Sequence, residues 1–200
     1  MSISRTHVLI AAAATVLFAA GCSDDSTTTH TTQHSTTTTA TSAAASTDFN
    51  DADVTFLQMM YPHHAQAVEM AKMVPSHTQN QQLIALAAQV EKAQAPEMQQ
   101  ITDLLAGFGK PAPSATEGHG GHDMPGMMTD AQMSSLQAAN GADFDRQWLE
   151  MMIEHHEGAV GMAQTELNAG VNPQTRQLAT AIVADQEAEI ATMRGMLGQN

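Results

Sequence analysis

"FLQMMYPHHAQAVEMA" (Phe56–Ala71) and "WLEMMIEHHEGAVGMA" (Trp148–Ala163) are two versions of one stretch. They lie 92 positions apart, and nine of the fifteen positions from Leu57 to Ala71 are identical at that offset: Leu57, Met59, Met60, His63, His64, Ala67, Val68, Met70 and Ala71. Without a gap, the same offset pairs Asn80 with Asn172, Gln94 with Gln186, Glu97 with Glu189 and Leu105 with Leu197. Self-similarity at a fixed spacing marks a duplicated supersecondary unit. At about 100° per residue, Phe56, Met60, His63, Ala67, Met70 and Val74 share one stripe, with Gln58, Ala65, Glu69 and Lys72 opposite, so each unit opens with an amphipathic helix.

The punctuation agrees. Asp51 and Asp53, matched by Asp143 and Asp145, suit a helix start. Pro75 closes the first helix, and Asn168, Gly170 and Pro173 mark the corresponding break in the second half. Asn80 and Asn172 stand where N-caps belong, with Pro173 in the favoured first turn. We expect main helices over 51–74, 80–108, 142–168 and 173–198, and a short one over 129–139. Two antiparallel hairpins related by a pseudo-two-fold axis make an all-α four-helix bundle. Strands have little support, with aromatic residues at 4%. Pro62 removes a donor to the Gln58 carbonyl and should kink the first helix; its counterpart is Glu154, so the halves differ chemically.

Outside the repeat, residues 1–21 read as an export signal: Arg5, the apolar run Val8–Ala20, then small residues before Cys22. That pattern resembles a bacterial lipobox, with Ala19 where Leu is usual, and makes Cys22 the lipidated end of a mature chain anchored to the cell membrane. Residues 22–47 are rich in Ser, Thr and Ala and read as a flexible tether, in which His30 and His34 are incidental. The folded domain is 48–200, with halves 48–108 and 142–200 joined by a loop, 109–128. One cysteine excludes an internal disulfide framework and a Cys-based zinc knuckle. A net charge of −14, with seven Lys plus Arg, argues against a nucleic-acid partner.

The interior carries polar groups. On the second helix Gln94 lands amid Leu83, Ala87, Val90, Met98, Ile101 and Leu105, with Glu97 at the edge. On the fourth, Gln186 sits among Ile182, Ile190 and Met193, with Glu189 at the edge. The third presents Trp148, Met152, His155, Ala159 and Met162. Buried polar groups are costly unless partnered, so this interior must hold a hydrogen-bonded network, a metal site, or both. Residues three and four apart share a helical face. Met60 and His63 can therefore present sulfur and imidazole nitrogen together, and Met152 and His155 repeat the choice; Met59, His64, Met151 and His156 are adjacent candidates. Thioether favours Cu(I), and imidazole accepts both copper oxidation states. A di-iron bundle needs Glu-x-x-His; here Met60-x-x-His63 and Met152-x-x-His155 fill that spacing. A satisfied, metal-free Met-rich core would show the same stripe. Gln94, Glu97, Gln186 and Glu189 are candidates to orient the imidazoles. In the loop, "EGHGGHDMPGMM" (Glu117–Met128) gathers His119, His122, Met124, Met127 and Met128 as a second capture candidate. Because imidazole binds metal when neutral, affinity should fall below about pH 6.

The paired "FLQMMYPHHAQAVEMA" and "WLEMMIEHHEGAVGMA", each followed by a helix carrying "QAPEM" or "QEAEI", resemble the family of domain of unknown function 305 across Asp48–Gly198. The resemblance implies a ferritin-like four-helical fold, and in some members extracytoplasmic copper binding. By it, His63, His64, His155, His156 and the neighbouring methionines are the functional positions; Glu154 departs from the proline usual in the motif. The expectation is an extracytoplasmic lipoprotein that sequesters or relays copper, as Cu(I) or Cu(II), with a copper-handling protein of unspecified identity as partner. Two rivals stand beside it: a ferritin-like metal-dependent oxidase or peroxidase, and a metal-free envelope interaction module.

Overall fold

The computed structural model describes residues 48–113 and 124–198. The stretches read as signal and tether, with Cys22, and His119 and His122 lie outside these residues. Helix α1 spans Asp51–His77, α2 Gln81–Gly107, α3 Asp130–Ala138, α4 Gly141–Ala169 and α5 Pro173–Leu197. The fold is all-α: α1 pairs with α2, α4 with α5, and the two hairpins meet chiefly through α1 and α4. No helix among the described residues is long and apolar enough to cross a membrane.

The caps explain the boundaries. Asn50 accepts from the backbone N–H groups of Ala52 and Asp53, and the Asp53 side chain answers the Asn50 N–H, closing a capping box. Asn80 and Asn172 each accept from two backbone N–H groups at the starts of α2 and α5, with Pro173 opening α5. One boundary differs from the sequence reading: α1 runs past Pro75 to His77. The His77 ring accounts for the extension. It stacks on Phe144 at 4.8 Å and lies 2.8 Å from the Met73 carbonyl and 3.1 Å from that of Gln137. Tertiary anchoring of that last turn outweighs the donor lost at proline. Met98, read as inward, is only half-buried.

Two apolar clusters fill the bundle. One centres on Met70, Val74, Trp148, Met151 and Met152, the other on Phe56, Met60, Ile101 and Met162. Trp148 is fully buried and its indole N–H donates to the Met70 carbonyl at 2.9 Å, tying α4 to α1.

At each end, an aspartate near the start of one hairpin grips the turn of the other. Asp145 accepts from the Asn80 side chain at 3.0 Å. Its counterpart Asp53 accepts from the backbone N–H groups of Val171 and Asn172 at 3.2 and 2.9 Å, and Asn50 donates to the Ala169 carbonyl at 2.8 Å. The symmetry breaks one turn earlier. Where the first half buries Val74, the second buries Glu166, only 1% exposed. Burial and the neighbouring Asp53 carboxylate push the Glu166 carboxyl up to about 7. Burial also acts to raise Asp53, but the donors from Asn50, Asn172 and Val171 and a bond from Glu166 hold it below the ordinary carboxylate value.

A carboxyl raised on folding contributes stability that is complete below its unfolded value and lost as pH rises through the folded one. Glu166→Val, which copies the other half, is expected to stabilise the protein more at pH 8 than at pH 5, by on the order of 2 kcal/mol. Urea denaturation of both forms at the two pH values checks this; equal gains would contradict the assignment.

Candidate metal centre

Each imidazole of the two His-His pairs is delivered by the matched helices α1 and α4, and all four are fully buried. The His63 and His155 rings face each other across the pseudo-axis, centroids 3.8 Å apart and planes inclined at 40°. The outer pair turns away, toward the second helix of each hairpin. His64 Nε2–H donates to Glu97 at 2.7 Å, and His156 Nε2–H donates to Glu189 at 2.6 Å. These two bonds are the same contact in the two halves, and each carboxylate is mostly buried.

His63 is fixed by a different partner. Its Nε2–H donates to the Pro125 carbonyl at 3.1 Å. Pro125 belongs to the segment Met124–Met128, a strap that crosses from α1 to α4 above the inner rings. On the α1 side Gln66 holds the strap by both amide atoms: the Met128 N–H donates to Oε1 at 2.7 Å, and Nε2 donates to the Met128 carbonyl at 2.8 Å. On the α4 side the counterpart of Gln66 is Gly158. A Cβ there would collide with the Pro125 carbonyl, and one on Gly126 (φ 78°) would come within 2.7 Å of the Glu154 carbonyl. Glycine is required at both positions by this close approach.

Acceptors fix the tautomer of three rings. His63, His64 and His156 each place Nε2–H on an acceptor and leave Nδ1 without any partner, and neither nitrogen of His155 has one. The side-chain amides of Gln94 and Gln186 are buried and also unpartnered. Nine of the thirteen buried polar side-chain atoms without a hydrogen bond, among the described residues, belong to these six side chains. Each such atom costs about 1–3 kcal/mol, so chance does not explain their concentration in one layer. The site has the form of a carboxylate–histidine–metal relay, in which one ring nitrogen is held by an acceptor and the other is bare.

The inner rings are neutral. Burial, then the charge of His64, lowers His63 to about 3, against a smaller opposing effect of the Pro125 bond. Burial, then the charge of His63, sets His155 well below the ordinary imidazole value. Burial thus favours the neutral, metal-binding form of His63 below the ordinary imidazole range.

The donor chemistry narrows the guest. Among the described residues no three His, Cys, Asp or Glu side chains converge on one point. Zinc in structural sites takes four ligands and hard divalent ions take six or more oxygens, so neither suits this layer. Two imidazoles completed by thioether or amide suit a soft ion of low coordination number. Of the methionines, Met60 and Met152 are fully buried, one in each apolar cluster, and Met151 is buried beside Met152. Met59 is half-buried and lines a groove between α1 and α4. In the strap, Met128 is buried in the core, whereas Met124 and Met127 are half-buried. Sequence reasoning missed Gln66, Gly158 and the Pro125 carbonyl. Their one signal is negative: 66 and 158 are positions where the repeat fails.

A four-helix bundle of duplicated hairpins with paired histidines at its centre defines a class, and residues 53–197 match its family. The chain belongs to the family described as domain of unknown function 305 (DUF305). It is similar to a DUF305 fragment from Deinococcus radiodurans, with TM-score 0.69 and 32% identity over 76% of this chain and 98% of that one. It is likewise similar to CopM in the Cu(II)-bound form, with TM-score 0.65 and 32% identity over 74% of this chain and 96% of that one. CopM has also been crystallised in Cu(I)-bound and silver-bound forms, which match at TM-scores of 0.62 and 0.61. An uncharacterised protein of Acanthamoeba polyphaga mimivirus is 38% identical over 55 residues, 28% of this chain and 36% of that protein. The chain thus spans about a third of that curated relative's length.

An imidazole lowered on folding contributes stability present above its unfolded value and lost as pH falls toward the folded one. Replacing both inner rings, in His63→Leu/His155→Leu, is therefore expected to flatten the loss of stability between pH 6.5 and pH 4.5, a difference on the order of 2–4 kcal/mol. Chemical denaturation across that range checks it.

Proposed function

We propose that this chain is an extracytoplasmic lipoprotein that binds copper in the layer between its hairpins and sequesters or relays it. One observation carries the reading: the unpartnered lone pairs of four buried imidazoles and two buried amides, gathered where the two halves meet. In the proposed site His63 and His155 supply imidazole nitrogen, with Met60 and Met152 as soft partners and Met59 and Met151 next in reach. Glu97 and Glu189 hold His64 and His156 in one tautomer, and Gln94 and Gln186 complete the polar layer. Cu(I) fits a set of few nitrogen and sulfur donors, and imidazole retains Cu(II). CopM, bound to Cu(I), Cu(II) and silver, supports copper as the cargo. Met124 and Met127, with His119 and His122, form the proposed outer capture segment. Lipidated Cys22 is the proposed membrane anchor, and a second copper-handling protein the proposed exchange partner.

Turnover is disfavoured by the carboxylates. A di-iron oxidase needs Glu residues as ligands, whereas Glu97 and Glu189 are turned onto the outer rings. Sequestration needs no open coordination position and no proton donor.

The test is competition for Cu(I) against a chromogenic chelator under anaerobic conditions. His63→Leu/His155→Leu is expected to lose about 100-fold or more in affinity while the metal-free protein unfolds at the same or a higher temperature, since buried orphan polar atoms are removed. Undiminished affinity would remove the bundle site. In Glu97→Gln/Glu189→Gln the inner rings remain and only the outer ones lose their charged acceptors, so affinity should fall less than in the double leucine variant; a drop of about 10- to 100-fold would add His64 and His156 to the ligand set.

A further inference from the structure

A groove of about 580 Å³ runs between the N-terminal half of α1 and the C-terminal half of α4, with Pro125 at one edge. Its walls include Thr55 and Phe56 from α1 and Met162 and Glu166 from α4. Applying the repeat offset turns these four into Gln147, Trp148, Met70 and Val74. That second set is the seat of α3. Met133 and Leu136 of α3 lie in one apolar cluster with Met70, Val74 and Trp148. Gln147 donates to the Ser135 hydroxyl at 2.9 Å, and the His77 ring lies 3.1 Å from the Gln137 carbonyl. The duplicated scaffold therefore has two equivalent grooves. Its own short helix fills one; among the described residues nothing fills the other.

The open groove differs from the filled one in its floor. Val74 is replaced by Glu166, whose two carboxyl oxygens are buried and receive no hydrogen bond. Arg176 attracts the carboxylate from a distance, but its guanidinium donates to the Leu167 and Gly170 carbonyls and not to Glu166. Asp51 stands at the rim, and the chain as a whole carries −14. A buried carboxyl without a donor is a strong preference for a basic group arriving from outside.

We infer that this groove docks a short amphipathic helix of a partner protein, which seats two apolar side chains one turn apart, as Met133 and Leu136 are seated opposite, and brings a basic side chain to Glu166. The mode is a helix laid in a groove, where apolar anchors give affinity and one charge gives selectivity. It goes beyond copper binding and does not depend on it.

The probe is a peptide of this chain's own Thr129–Asn140, unchanged or carrying Gln137→Lys, added to the metal-free full chain. Methyl resonances of Met59 and Met162 report on the groove. The expected result is saturable shifts of both methyls, with the Gln137→Lys peptide bound about tenfold more tightly than the unchanged one. That advantage should vanish in Glu166→Gln. Gly161, at the rim with open space at its Cβ, is the blocking position: Gly161→Phe should abolish the shifts and leave the thermal midpoint unchanged. Absence of saturable shifts, shifts that survive Gly161→Phe, or equal affinity for the two peptides would overturn the inference. Shifts of the same methyls on raising protein concentration without peptide would assign the groove to a second copy and overturn it equally.

Discussion

Four imidazoles with no exposure to water, packed where two hairpins meet, set the terms for the rest of this structure. Imidazole is tolerated in an apolar interior only if it is neutral and its N–H finds an acceptor. The fold supplies those acceptors from outside the layer: Glu97 and Glu189 from the second helix of each hairpin, and the Pro125 carbonyl from the strap. Each contact engages one ring nitrogen and leaves the other buried without a partner. The cost of those lone pairs is sustained by the flanking apolar clusters, with Trp148, Phe144, Leu57 and Met60 fully buried around them.

The bundle resists collapse onto this expensive layer because its ends are held. Asp53 grips the backbone at the start of α5, Asp145 holds the Asn80 cap, and the Trp148 indole ties α4 to the Met70 carbonyl. Such contacts keep the hairpins at a fixed separation, so the inner rings meet in a tilted contact across the axis. Preorganisation of this kind lowers the reorganisation needed to accept a guest.

Much of this was legible in the chain. The helical period of Phe56–Val74 and its copy, the Asn caps and Pro173 define the elements, because each acts locally. The polar layer was legible too: Gln94 and Gln186 fall on otherwise apolar stripes, and Glu97 and Glu189 lie one turn on. What depends on distant partners was not. The last turn of α1 persists beyond Pro75 because His77 docks on Phe144, and no local rule anticipates that. The protonation of His63 follows from burial depth, which spacing does not report. The strap was hidden because its partners, Gln66 and Gly158, look like mere failures of the repeat. Glu166 was hidden for the same reason, standing where its twin is Val74.

Those failures have a consequence for the history of the fold. A single chain segment can cross a two-fold axis once, and its two faces are unlike, so it cannot meet both halves in the same way. Once the strap settled with Gln66 on one side and Gly158 on the other, the halves ceased to be interchangeable. Two copies of the first half would offer two amide clamps and no gap for Gly126; two copies of the second would offer two gaps and no clamp. A symmetric pair of either half would therefore lack one side of the strap's seat.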